Sequence, residues 1–172
     1  MIEIQAKEFA LAAHKDQLYG EQPYAFHLAA VVAVAKEFKL NDNIIAACWL
    51  HDTMEDCNVS FQDIKNVCGE TVAEIVFCVT DELGRNRKER KEKTYPKIAG
   101  NADALCVKLC DRIANVQHSI VNHNSALLSM YVKKQVLFKE KLFNVNVTGT
   151  TLILWKKLEE LMSEATQLQK IN

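Results

Sequence analysis

Residues 44–56 read Ile44-Ile45-Ala46-Ala47-Cys48-Trp49-Leu50-His51-Asp52-Thr53-Met54-Glu55-Asp56, seven apolar positions followed directly by four ionisable ones within six. Asn41 or Asp42 can cap a helix over the apolar part, so the ionisable part falls where that helix should be ending. One helical turn separates His51-Asp52 from Glu55-Asp56, which puts four potential ligands or acids on one wall as two adjacent ridges. A carboxylate buried there without a partner would cost several kcal/mol, and a bound cation would remove that cost. Imidazole and carboxylate together suit borderline or harder divalent ions such as manganese, iron or zinc, and an open coordination position would leave room for water.

Outward from this stretch the chain reads as helical. Only 2 prolines and 5 glycines punctuate 172 residues, and apolar positions recur mostly at three and four rather than two. The pattern predicts a first helix from about Ile4 to Gln17 that buries Phe9, Ala10 and Ala13, broken by the Gly20 to Pro23 stretch. A second helix follows Pro23 and reaches about Lys39, with His27 in its first turns and Val31, Val34 and Phe38 facing inward. Ser60 and Asp63 have the spacing of a capping box, opening a short helix that Gly69 ends, and Val72 to Val79 continues as another. From Asp103 to about Ile120 a stripe of Leu105, Leu109, Ile113, Val116 and Ile120 marks a strong helix. Two further amphipathic helices, about Ser125 to Phe143 and Leu152 to Leu168, complete an all-α, single-domain bundle over residues 1–172, with β structure minor or absent. The exception is Asp81 to Lys93. There Gly84 precedes the run Arg85-Asn86-Arg87-Lys88-Glu89-Arg90-Lys91-Glu92-Lys93, and Pro96 limits any helix, so this is the segment expected to be most mobile, its charges solvated.

Hydrophobic residues at 49% and charged residues at 25% match a globular protein able to bury a core without disulfides. A formal net charge of −1 gives no overall attraction to nucleic acid or to an anionic membrane, so an anionic ligand has to be handled locally. Aromatic residues do not interleave with the basic run, which argues against a stacking platform for single strands. No apolar run approaches the roughly 20 residues of a membrane helix. The opening MIEIQAKEFALAAHK lacks the pattern of a secretory signal, and a cytosolic location is expected. Cys48, Cys57, Cys68, Cys78, Cys106 and Cys110 are scattered without a CxxC pair and read as reduced core residues, with structural zinc the weaker alternative.

A metal needs ligands beyond His51 and Asp52, and the chain offers His27 and Asp111. Either could be something else: a single helical histidine is commonly a packing residue. Asp111 shares with Lys108, Arg112 and Asn115 a polar stripe that could equally be a solvated helix face. His14 reads as a packing or supporting residue, and His118 and His123 as surface residues.

The order His27, His51-Asp52, Asp111 resembles the HD phosphohydrolase superfamily. The flanking text resembles most closely the hydrolase domain of RelA/SpoT alarmone enzymes and the small alarmone hydrolases. The matching stretches are Ala10 to His14 with Gln17, Pro23-Tyr24 before His27, Ile45 to Asp56, Gly69 with Val72-Ala73, Val79-Thr80, and Val107 to Asn115 (VKLCDRIAN). HD alone is a weak dipeptide, but LHDTMED followed in order by KLCDR is specific.

The resemblance implies an HD-type bundle in which His27, His51, Asp52 and Asp111 bind one manganese ion. It implies that Glu55 and Asp56 orient or deprotonate the attacking water and that Asn115 contacts a nucleotide; Lys108, on the same stripe, is the second expected substrate contact. The expected partner is a small-molecule nucleotide rather than nucleic acid or membrane, and the expected reaction removes the 3′-pyrophosphate of (p)ppGpp. Three positions depart from the family: Leu18-Tyr19 stand where basic residues are usual, His27-Leu28 where His-Pro is, and Ile113-Ala114-Asn115 where Leu-His-Asn is. A second reading therefore keeps the metal site and gives it a phosphomonoester such as a nucleoside monophosphate or the 2′-phosphate of NADPH. Cations of the Arg85 to Lys93 run could instead serve a distal phosphate. A third reading is a nucleotide-sensing module without turnover.

Overall fold

A helix that is apolar on every side has to lie inside a protein, and Ile44 to Leu50 does: all seven residues are buried. In the computed structural model, which describes residues 1–143, 147 and 149–171, this helix is α3 (Asp42–Leu50), capped by Asn41, whose side chain accepts from the Ile44 amide. Around it are α1 (Ile2–Ala13), α2 (Ala25–Glu37), α6 (Glu70–Val79) and α8 (Ala102–Val121). The short α4 (Thr53–Asp56) and α5 (Phe61–Cys68) link α3 to α6, and α7 (Arg87–Ala99), α9 (Ser125–Leu142) and α10 (Gly149–Ile171) close the bundle over the other side of α8. The all-α expectation holds for the described residues; of the bundle expected over 1–172, residues 144–146, 148 and 172 lie outside them. None of the described helices is long and apolar enough to cross a membrane.

α8 is the axis of the molecule, in contact with α2, α3, α6, α7, α9 and α10. Leu105, Leu109, Ile113 and Val116 are buried as their spacing predicts, each Leu or Ile contributing about 1.5–3 kcal/mol on burial. Its polar stripe is not solvated. Asp111 and Arg112 are each only 9% exposed, because α7 and α9 cover that face. Arg112 donates to the Tyr131 carbonyl at 3.0 Å and lies over the rings of Tyr131 and Phe138, which offsets part of the hydration its guanidinium gives up, Nε being buried without a partner.

Three boundaries differ from the sequence reading. α1 stops at Ala13, and the chain then forms a small hairpin, β1 (Leu18–Tyr19) paired antiparallel with β2 (Gln22–Pro23), where Gly20 at φ 62° takes the left-handed first loop position that favours glycine. The apolar helix ends at the His51-Asp52 pair, as expected, and a separate short helix follows; His51 and Asp52 stay in the right-handed helical region and the Asp56 amide still reaches the Asp52 carbonyl at 2.9 Å. The last helix begins at Gly149 rather than Leu152. The charge-dense run forms the ordered helix α7, which passes straight through Pro96.

Three features outweigh the proline in α7. Asn86 caps the helix by accepting from the Glu89 amide, and Glu89 binds both Arg85 and Lys93 at four-residue spacing. The carbonyl that Pro96 cannot serve belongs to exposed Glu92, where water can reach it. Thr94 and Ile98 are fully buried and pin the helix to the body. The Ser60–Asp63 capping box forms as expected, and all six cysteines are free thiols, four of them buried and Cys57 and Cys78 half-buried.

Candidate metal centre

Three helices bring four side chains from distant parts of the sequence to one point. His27 enters from the first turn of α2, His51 and Asp52 from the end of α3, and Asp111 from the middle of α8. His27, His51 and Asp111 each present a ligand atom within 4.8 Å of the others. Asp52 Oδ2 lies 2.9 Å from His51 Nε2 and 3.7 Å from His27 Nε2, while Asp111 Oδ1 lies 3.9 and 3.6 Å from the same two nitrogens. His27 and His51 are 4% and 3% exposed. The expected set of four therefore converges.

His51 Nδ1 donates to the Cys48 carbonyl at 2.9 Å, a bond within its own helix turn that leaves Nε2 as the inward-facing nitrogen. That Nε2 is buried without a hydrogen-bond partner of good geometry. Burial by itself would push His51 down, but Asp52 and then Asp111 beside it raise it to about 9. Burial lowers His27, against the pull of Asp111. Asp52 is held far below the usual carboxylate range: burial opposes this and His51 overcomes it, while Asp111, equally opposed by burial, is brought to about 2 by Lys108 and the imidazoles. Two ionised carboxylates and an inward imidazole nitrogen without a hydrogen-bond partner are what a divalent ion would complete, and the nitrogen and oxygen donor set fits one.

Each carboxylate is also gripped from behind. Tyr24 donates to Asp52 Oδ2 at 2.5 Å. On the other side Lys108 Nζ is 2.8 Å from Asp111 Oδ2, and Asn115 Nδ2 donates to both Asp111 Oδ1 and its backbone carbonyl. Asn115 Oδ1 in turn accepts from Tyr19 at 2.7 Å. His14, buried, stacks on Tyr24 with ring centroids 4.6 Å apart and contacts Gln17, which donates to Asp56. His118, expected at the surface, is half-buried between the rings of Tyr19 and Phe26, and His123 is exposed.

Glu55 and Asp56 share with Asp52, Asp111, Lys108 and Asn115 a cavity of about 250 Å³. Glu55 accepts from the Asp81 amide at 3.3 Å and has Arg90 at 3.8 Å; burial, and next Asp81, raise its carboxyl above the ordinary value. Arg87, Arg90 and Lys91 of α7 line the same cavity, and Lys91 is tied to Asp81 at 2.7 Å. A larger cavity of about 470 Å³ adjoins it, sharing Lys91, Lys108, Asp111 and Asn115, and is walled by Arg112, Tyr131 and further basic side chains. Sequence reading offered the Arg85 to Lys93 cations for a distal phosphate without separating Arg87 and Lys91 from the rest, and it did not assign Tyr19 or Asp81 to the site. A helix of alternating charges looks the same whether its basic edge faces water or a pocket.

Residues 6–135 match the family model described as HD domain. Over 163 residues the chain is 26% identical to the guanosine-3′,5′-bis(diphosphate) 3′-pyrophosphohydrolase MESH1 of Drosophila melanogaster, covering 91% of this chain and 90% of that protein. It is 32% identical over 121 residues to the bifunctional (p)ppGpp synthase/hydrolase SpoT of Escherichia coli, covering 66% of this chain but only 17% of SpoT. Among solved structures, a metazoan ortholog of SpoT described as hydrolysing ppGpp superposes with a TM-score of 0.72 at 23% identity, covering 95% of this chain and 94% of the other. The protein lmo0812 of Listeria monocytogenes superposes with a TM-score of 0.61 at 18% identity, covering 80% of this chain and 99% of that one. At those identities the two structures speak for the fold alone.

Proposed function

Because the chain belongs to the HD-domain family, we propose that it is a metal-dependent phosphohydrolase that removes the 3′-pyrophosphate of a guanosine 3′,5′-bis(diphosphate)-like nucleotide. The observation that carries this reading is the convergence of His27, His51, Asp52 and Asp111 beside a basic cavity of about 470 Å³, large enough for a nucleotide. The naming of the relatives as 3′-pyrophosphohydrolases supplies the substrate class.

Those four residues would hold one divalent ion, which we take to be manganese. A bound ion of this kind lowers the pKa of water towards about 7 and offsets phosphate charge. Glu55, beside the ligands and with its carboxyl raised by burial, accepts the proton of the attacking water, and Asp56, held by Gln17, orients that water. The water oxygen bonds to the phosphorus on the ribose 3′-oxygen, that P–O bond breaks, and the ribose oxygen takes up a proton as pyrophosphate leaves. Lys108 and Asn115 are the proposed substrate contacts on α8, and Arg87 and Lys91 add positive charge from α7. The six free thiols accord with a reducing cytosol as its place of action.

One observation favours a second reading. The hairpin contributes a neutral phenol, Tyr19, and exposed Leu18 in place of cations, so a substrate with fewer phosphates would be less penalised. A nucleotide panel in manganese, with pyrophosphate and phosphate measured separately, decides between them. Pyrophosphate from the bis(diphosphate) supports the first reading; phosphate alone, from monophosphates or NADPH, replaces it with the second. Binding without any product would leave a sensor.

A further inference from the structure

Two tyrosines on and beside the small hairpin touch two of the four proposed ligands and reach a third through one intermediary. Tyr24 donates its hydroxyl to Asp52 Oδ2 at 2.5 Å, the same oxygen that faces both imidazoles. Tyr19 reaches the opposite carboxylate through an intermediary: its hydroxyl donates to Asn115 Oδ1 at 2.7 Å, and the Asn115 amide donates to Asp111 Oδ1, again the oxygen facing the imidazoles. Both rings also hold His27. Tyr19 stacks on it at 4.8 Å between centroids with planes 16° apart, and Tyr24 meets it edge-on at 5.4 Å. His51 is oriented by its own helix turn, through the Cys48 carbonyl, and Asp111 also has Lys108 and Asn115 of its own helix on it.

We infer that Tyr19 and Tyr24 are positioning residues that preset the metal site, Tyr24 by fixing the Asp52 carboxylate and Tyr19 by fixing Asp111 through Asn115. This rests on the metal-site reading above. The physical reason is that a carboxylate oxygen has two lone pairs. A donor placed on the outer one turns the other towards the centre, and the ligand then loses less rotational freedom when the ion arrives. Asn115 spends both amide hydrogens on Asp111, one on the side chain and one on the backbone carbonyl, so the tyrosine at its oxygen fixes which way the amide points. The hairpin thereby acts as a clamp across the site from the buried helices. Burial, and after it the neighbouring Tyr131 and then Asp111, lifts Tyr19 to about 12, so it stays a donor at neutral pH.

The test is manganese titration calorimetry on the metal-stripped full chain. Tyr24→Phe and Tyr19→Phe keep both ring stacks and lose only the hydroxyl. Each should weaken the Kd for manganese by about tenfold or more, within the 10–100-fold range of such supporting contacts, and excess manganese should restore kcat. In an Asn115→Ala background, Tyr19→Phe should add no further loss, since its route to Asp111 is already cut. Leu142→Val in α9 serves as a destabilised control and should keep the wild-type Kd. Unchanged Kd in both phenylalanine variants, or full additivity of Tyr19→Phe with Asn115→Ala, overturns the clamp. Failure of the underlying reading looks different: the wild-type chain takes up no manganese, or Asp111→Ala takes it up undiminished.

Discussion

The α3–α4 segment and α7 face the same cavity, and they reach it by opposite routes. α3 is apolar on all sides and carries the proposed ligands His51 and Asp52 at its end, so burial drives the helix inward and the ionisable groups follow. α7 is charged along most of its length, anchored by only two fully buried residues, Thr94 and Ile98, and its cations reach the site because they occupy the edge left over. In the first region the chemistry is bound to the element that forms the core. In the second it is bound to an element whose place is decided by its neighbours. Changes in α3–α4 should therefore abolish function, whereas changes in α7 should grade it.

The largest effect is expected from Asp52→Ala and Asp111→Ala, each of which should abolish manganese binding by calorimetry together with turnover. An Asp111 variant with full metal content would break the comparison, since the deep end of the site would not then be setting the outcome. Glu55→Ala should retain the metal and lower kcat by about 10²–10⁴-fold, the usual contribution of a general base. A metal-depleted Glu55→Ala protein would move that residue among the ligands.

The pH profile sharpens the contrast. Burial and Asp81 raise the Glu55 carboxyl above the ordinary glutamate value of about 4.3, so the carboxylate proposed as the base is lost on acidification earlier than for a free glutamate. Activity should fall as pH is lowered through that raised value, and Lys91, which pulls it down, limits the rise. Lys91→Ala should shift the acid limb to higher pH and raise KM by about tenfold, the cost of one charge-assisted contact. An unmoved acid limb would separate α7 from the chemistry. The smallest effect belongs to Arg85→Ala. Its pair with Glu89 is on the surface, and neither the melting temperature nor kcat/KM should change measurably.

Much of this was readable before any fold was known. The capping box at Ser60, the terminator at Gly69 and the stripe of α8 depend on spacings of three and four residues. The polar stripe of α8 was ambiguous for a reason: Lys108, Asp111, Arg112 and Asn115 have the same periodicity whether water or other helices cover them. Only the placement of α7 and α9 makes that face an interior.

From its order of residues alone this chain determined its helical class, most of its helix ends and the four side chains that converge on one point, because periodicity, capping and a motif each operate within a few turns or in chain order. Tertiary structure alone decided that the α7 cations line the cavity, that Asp81 raises Glu55, and that Tyr19 and Tyr24 brace three of those side chains. Each of these is a contact between residues far apart in the chain. Such contacts follow from which faces remain to be covered once the core has packed, and no local pattern records that.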